Sequence, residues 1–140
     1  MNTVVVRFAV LGVVLAGAIS AGSLAAAAPG GIPSGVDRSL RVSHHIIVRL
    51  ADRSEAKVSL SRAVRRLGGR LQGRKPLGGW LVRFTDREYA NGMVFRRRLA
   101  WLVVARGITF PLPVAPGTYR ATACWFVGAT RGRFLLGADC

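Results

Sequence analysis

The sequence predicts an all-β domain with an antiparallel β-sandwich architecture. Short runs of alternating apolar and polar residues recur at intervals of roughly 8–12 residues, with Gly- and Pro-containing turns between them. The clearest runs are residues 80–85 and 118–127, in which successive side chains alternate between two faces of a strand. Closely spaced glycines between residues 68 and 79 exclude a long helix from that stretch.

The elements before these glycines are less uniform in pattern. A β-branched run predicts a first strand within residues 41–50. Residues 57–67 fit either of two elements. Val58 and Leu60 alternate as in a strand, whereas Leu60 and Val64 recur at helical spacing. Both alternatives stay open for this segment.

The second half of the chain predicts further extended segments. Residues 93–104 fit one or two strands, or a helix in part, and Arg106-Gly107 predicts a turn after them. Residues 108–114 are expected to form an extended edge, because two prolines within them cannot continue a helix. Pro116-Gly117 predicts a turn, and residues 133–136 a short last strand.

The N-terminus has the order of a secretory signal. One positive charge precedes an apolar run over residues 8–19, and Ala25-Ala26-Ala27 supplies small residues for cleavage. The predicted organisation is a signal helix over residues 1–27, a flexible lead-in over residues 28–40 and one domain over residues 41–140. The alternative is a retained membrane anchor, although the apolar run is shorter than the roughly 20 residues of a bilayer span. Either way, the chain is expected to be secreted or held at the cell surface.

The composition is strongly basic. Arg7 is the only charged residue before position 28, so the rest of the chain carries 20 basic and 6 acidic side chains, a formal charge of +14. Such a surface attracts anionic partners. The alternative is a compositional preference for arginine, since the basic residues are scattered along the chain. Arg96, Arg97 and Arg98 form the densest cluster and are the predicted contacts for an anionic partner.

Two cysteines, Cys124 and Cys140, lie close together near the C-terminus. In an oxidising compartment they are candidates for an intramolecular disulfide, and two separate thiols are the alternative. Their spacing fits no metal site.

No set of residues in the sequence predicts catalysis. His44 and His45 are adjacent on a predicted strand and would point to opposite faces. Two pairs of carboxylates, Asp52 with Glu55 and Asp86 with Glu88, lie in polar turns among arginines, where salt bridges are the expected role. We therefore predict no catalytic residue, metal ligand, cofactor or small-molecule substrate.

Three segments resemble bacterial immunoglobulin-like repeats, in the order that this family has them. Residues 73–85 are similar to its G-x-P-L-x-G-x-x-V-x-F-T segment, and residues 105–114 to its strand ending in L-P. Residues 115–123 resemble its A-P-G-T-Y-x-V-T-A strand, and Gly128 with Arg133-Phe134 resembles its ending. Carboxypeptidase regulatory-like modules, which are also sandwiches, share the Pro-Leu-x-Gly and Pro-Gly-x-Tyr signatures.

The resemblance implies an immunoglobulin-like sandwich in which Tyr119 fixes a corner through its hydroxyl. The predicted inward-facing residues are Trp80, Val82, Phe84, Tyr119, Ala121, Ala123 and Trp125. The family implies a structural or adhesive role without catalysis, with an anionic cell-envelope polymer or another protein as partner. Membrane contact is expected only through an uncleaved signal.

Two alternative functions accompany this expectation. Residues 44–50, 55–67 and 79–84 resemble the strand–helix–strand opening of propeptide-like inhibitors of subtilisin-type proteases. The net charge and three tryptophans suggest instead a cationic protein that binds envelope polymers or nucleic acid, for which exposed tryptophans would be needed. Nucleic acid is not the expected partner.

Overall fold

Five strands in chain order form one antiparallel sheet, each strand pairing with the one before it. This is seen in a computed structural model that describes residues 30–87 and 94–140. The elements are α1 (Ser34–Ser43), β1 (Ile46–Leu50), α2 (Leu60–Leu67), β2 (Gly78–Asp86), β3 (Arg98–Pro111), β4 (Thr118–Gly128) and β5 (Phe134–Asp139). The predicted antiparallel β architecture is confirmed, and the predicted signal segment lies outside the described residues.

A helix covers each face of this sheet. The described residues contain no second sheet, so the sandwich expected from the sequence is not what they form. The physical reason lies in the central strands, whose consecutive side chains are both apolar. Trp101 packs on the α2 face and Leu102 on the α1 face, and both are buried. Each face therefore needs an apolar cover, which the amphipathic helices supply.

Helix α1 occupies part of the segment expected to be a flexible lead-in and the start of the first strand. Val36 and Leu40, one helical turn apart, are its buried residues. Asp37 and Arg41 form an ion pair along its exposed side. The first strand, β1, therefore begins only at Ile46.

Helix α2 settles the ambiguity of residues 57–67 in favour of a helix. The Ser59 hydroxyl caps it by accepting a hydrogen bond from the Arg62 amide at 3.3 Å. Gly68 follows it with a φ of 50°, a positive value that glycine adopts readily, and the helix ends there. Its buried side chains are Leu60, Ala63, Val64 and Leu67. Neither described helix is long and apolar enough to span a bilayer.

The turn predicted at Arg106-Gly107 is wrong, because both residues lie within strand β3. The register with β4 shifts between Ala105 and Ile108, and Gly107 has a φ of 70°, so the chain forms a β-bulge there. The turn predicted at Pro116-Gly117 is confirmed in the β3–β4 connection, where the Leu112 amide donates to the Gly117 carbonyl at 3.1 Å.

The β3–β4 hairpin projects beyond the rest of the sheet. Pairing of β2 with β3 stops at Val104, and pairing of β5 with β4 stops at Ala123. Among the described strands, β3 and β4 then pair with each other alone, up to the register pair of Pro111 and Thr118. The predicted extended edge at residues 108–114 is therefore a two-stranded ribbon and its connecting loop.

The predicted inward-facing residues divide between two cores instead of sharing one. Trp80, Val82 and Phe84 lie in the α1-side core, whereas Ala123 and Trp125 lie in the α2-side core. The two remaining members of the set, Tyr119 and Ala121, are only half-buried because they lie on the projecting ribbon.

Candidate functional site

Arginines from separate parts of the sequence come together on one surface, which we call the arginine face. Six of them are exposed, and Arg83 is half-buried. They line two neighbouring clefts, each of about 470 Å³, that share Arg83 and Arg97 in their walls. The arginine face comprises Arg49, Arg83, Arg87, Arg96, Arg97, Arg98 and Arg131.

The pairing of β1 with β2 places two of these arginines side by side. Arg49 lies directly opposite Arg83 in the register of the two strands. Like charges in this position repel each other and destabilise the pair. The Glu55 carboxylate accepts a hydrogen bond from the Arg83 guanidinium and offsets part of this repulsion. Arg49 contributes further positive charge to the cleft beside it.

The sequence cluster of Arg96, Arg97 and Arg98 joins this surface at the start of β3. All three side chains are exposed. Arg97 has a φ of 48°, a left-handed backbone that non-glycine residues seldom adopt. Its amide donates to the Thr85 hydroxyl at 3.0 Å, which holds this turn against the end of β2. The bend thus fixes the cluster beside Arg83.

Acidic side chains are few at this surface. Neither of the two clefts has a carboxylate among the described residues of its walls. Glu55 contacts the arginine face through its ion pair with Arg83. The buried Asp86 lines an adjoining cleft together with Arg87 and Arg96. Positive charge therefore exceeds negative charge across the whole arginine face, which favours anions over neutral or cationic ligands.

The three tryptophans are not available for stacking. Trp80, Trp101 and Trp125 are each 5% exposed and belong to the two cores. The Trp101 indole also donates to the Val58 carbonyl at 2.7 Å, which anchors it from the α2 side. Base stacking on tryptophan, which the nucleic-acid alternative needs, therefore lacks the exposed rings it requires.

Cys124 and Cys140 are joined by a disulfide, with their Cα atoms 6.0 Å apart. Cys124 is fully buried in β4, and the Cys140 amide donates to the Thr122 carbonyl at 2.8 Å. The bridge therefore ties the C-terminal residue to the centre of the sheet. It is a structural element and lies in the α1-side core.

His44, Tyr119 and Asp139 meet beside this disulfide. The Tyr119 hydroxyl donates to an Asp139 carboxylate oxygen at 3.0 Å, and His44 Nε2 lies 3.1 Å from the other oxygen. Desolvation, with smaller contributions from the hydrogen bond and the charge of Asp139, raises the pKa of Tyr119. The Tyr119 hydroxyl, which the resemblance implied would fix a corner, thus contacts a side chain of β5.

Two other expectations about polar residues change with the structure. His44 follows helix α1 and His45 has a φ of 53°, so neither lies on a strand as predicted. Asp52 caps a 3₁₀ turn over Arg53–Glu55, and hydrogen bonds from the Ser54 amide and hydroxyl lower the pKa of its carboxyl group. Within the described ranges, no group of three His, Cys, Asp or Glu residues is placed to hold a metal ion.

No protein-family model, curated protein or solved structure matches this chain.

The sequence analysis identified three of the seven arginines of the arginine face. It missed Arg49, Arg83, Arg87 and Arg131, which lie up to 82 positions apart in the chain. The available signal was the presence of arginine within the predicted strands at residues 41–50 and 80–85, which include Arg49 and Arg83. Their alignment depends on which strands pair, and the local pattern does not specify that.

Proposed function

We propose that this chain is an exported, non-catalytic binding protein whose arginine face holds an anionic polymer of the cell envelope. The observation that carries the proposal is the convergence of seven arginines on two adjoining clefts. Guanidinium groups bind phosphate and carboxylate oxygens through paired hydrogen bonds, and several groups in a row suit a ligand with repeated charges. Export rests on the N-terminal pattern of the sequence.

The repulsion between neighbouring arginines supports the same proposal. Arg49 and Arg83 face each other across β1 and β2, and Glu55 provides the carboxylate that reaches Arg83. A polyanion bound in these clefts would neutralise the remaining charge. A polyanion that binds these assembled clefts more tightly than the unfolded chain would also stabilise the fold.

The test measures binding of inorganic polyphosphate, used as a probe, to the full chain. In the variant Arg49→Gln/Arg97→Gln we expect affinity to fall about tenfold or more, and the slope of log affinity against log salt to fall by about 2. Titration calorimetry over a series of salt concentrations measures both quantities. Far-UV circular dichroism would establish that the variant keeps the parent fold.

A matched control separates a defined site from general attraction. Arg62→Gln/Arg66→Gln removes the same two charges from exposed positions on α2, outside the walls of both clefts. We expect its affinity for polyphosphate to stay within about threefold of the parent. Equal losses in the two double variants would show that net charge alone attracts the polymer, and the proposed site would then be rejected.

A second candidate function rests on the order β1, α2, β2. This is the strand–helix–strand order implied by the resemblance to propeptide-like inhibitors of subtilisin-type proteases. Inhibition of a subtilisin by the full chain at nanomolar concentration would favour this candidate. An unchanged rate of peptide hydrolysis at a large excess of the chain would eliminate it.

A further inference from the structure

The loop at the end of the β3–β4 hairpin is apolar and fully displayed. Residues 111–116 have no polar side chain, and every residue from 111 to 118 is exposed. Val114 is 96% exposed and Leu112 is 40% exposed. We call residues 111–117 the tip loop. A soluble protein gains nothing from displaying consecutive apolar residues in this way, so such a patch marks a surface that contacts something apolar.

The backbone of the tip loop carries few free hydrogen-bond donors. Pro111, Pro113 and Pro116 have no amide hydrogen. The Leu112 amide donates to the Gly117 carbonyl, as noted for the hairpin turn. An unsatisfied amide is costly to move out of water, so three prolines and one internal hydrogen bond lower the cost of bringing this loop to a membrane interface.

Three arginines surround the base of the hairpin, and we call them the basic collar: Arg74, Arg106 and Arg120. All are exposed. Arg106 lies in the bulge and Arg120 lies opposite Thr109. Atoms of the Arg74 guanidinium come within 3.8 Å of where a Cβ on Gly107 would be. The collar is therefore assembled from three chain segments behind one apolar loop.

Two sets of contacts hold this arrangement in place. The Gln72 side chain bonds to both the amide and the carbonyl of Thr109, each at 2.9 Å, and so fixes the segment that carries Arg74. The rings of Phe110 and Tyr119 stack with centroids 5.6 Å apart just behind the loop. The Tyr119 hydroxyl donates a hydrogen bond to the Asp139 carboxylate, which further fixes the position of the Tyr119 ring.

We propose that the tip loop inserts into the interface of an anionic lipid bilayer while the basic collar contacts the headgroup phosphates. An apolar tip in front of a ring of cations matches the change from hydrocarbon to charged headgroup across this interface. Arginine stems can lie along apolar surface with their guanidinium groups at the phosphates. From the sequence we expected membrane contact only through an uncleaved N-terminal signal. In this proposal the tip loop supplies a second, independent contact.

This surface is separate from the arginine face. Arg98 and Pro111 are the first and last residues of β3, and a 14-residue strand separates its ends by about 40 Å. Insertion therefore involves none of the residues proposed to bind the polymer, and either proposal can fail without the other.

The test places a fluorescent reporter on the tip loop of the full chain. In Val114→Trp we expect tryptophan emission to move to shorter wavelength on addition of vesicles containing phosphatidylglycerol, and bromine on the acyl chains to quench it. The three native tryptophans are buried, so subtracting the parent spectrum isolates the reporter. The matched control is Val42→Trp on α1, a position that is 66% exposed and should show neither change.

A second pair of variants tests the contribution of the side chain without changing charge. Val114→Asn should lower vesicle partitioning about tenfold relative to Val42→Asn, because the lost contact is that of one aliphatic side chain. Residues 1–29 are common to both variants, so their own affinity for lipid does not contribute to the ratio.

Three results would overturn the proposal. The first is an unchanged Val114→Trp spectrum while the protein sediments with the vesicles. The second is equal quenching of the two reporters. The third is a spectral shift without lipid that grows with protein concentration, which would show that a second copy covers the tip loop.

Discussion

Replacing Phe84 with alanine should lower the free energy of unfolding by about 3–5 kcal/mol. Phe84 is fully buried in the centre of the α1-side core. Its ring centroid lies 5.1 Å from that of Phe95 and 4.3 Å from that of Phe126. Truncation leaves a cavity lined by two aromatic rings. Phe126 lies on β4, and Phe95 precedes β3, where its carbonyl accepts a hydrogen bond from the Asp86 amide at the end of β2. A loss of this size is a large part of the roughly 5–15 kcal/mol by which domains are stable.

Urea denaturation of the full chain, followed by far-UV circular dichroism, measures this change. The control is Phe134→Ala, since Phe134 is 36% exposed and its ring contacts only the Arg70 guanidinium among the described aromatic and cation–π contacts. We expect this variant to lose about 1 kcal/mol or less. Similar losses in the two variants would contradict the placement of Phe84 at the centre of a packed core.

Loss of the disulfide should have the second largest effect, about 3 kcal/mol for a closed loop of 16 residues. The variant Cys140→Ala is the better choice, because the fully buried Cys124 would remain as a small apolar side chain. In the unfolded parent chain the bridge between Cys124 and Cys140 lowers the conformational entropy, and the variant lacks this restriction. Thermal denaturation should show a decrease in Tm of roughly 10 °C or more.

Reductant provides an internal check on this result. A reducing agent should lower the Tm of the parent chain to near that of Cys140→Ala and leave the variant unchanged. A parent Tm that does not respond to reduction would mean that the bridge contributes little to stability. A variant Tm that does respond would mean that the thiol of Cys124 takes part in another bond.

The strands at residues 80–85 and 118–127 could be predicted because their alternating, turn-bounded patterns survive without tertiary information. β2 begins two residues before and ends one residue after its predicted strand, and β4 begins where predicted and ends one residue later. β3 lacks such a pattern, since Trp101, Leu102 and Val103 are buried on alternate faces of a sheet covered on both sides. Alternation disappears wherever both faces are apolar.

The single sheet could not be told from a sandwich on the same grounds. Both architectures give short strands with turns between them, and they differ only in what covers the second face. The residues that distinguish the two architectures are those of the helices, which cover the two faces of the sheet. Leu60, Val64 and Leu67 at helical spacing indicated α2, but the β-branched residues near position 42 concealed α1.

The arginine face was only partly predictable for a different reason. Arg96, Arg97 and Arg98 are conspicuous as neighbours in the sequence, whereas Arg49 and Arg83 become neighbours through strand register. Composition gives the amount of charge and not its location. The pairing of three strands and the bend at Arg97 convert scattered arginines into one surface.

The Gln72 amide has a consequence for how copies of this protein behave toward one another. Beyond Val104, β3 pairs with no described strand on the β2 side, and an edge of this kind offers its amides and carbonyls to another chain. Gln72 bonds to both backbone groups of Thr109, much as a strand residue would. One side chain thus occupies two of the backbone groups through which a second molecule would add a strand to this edge.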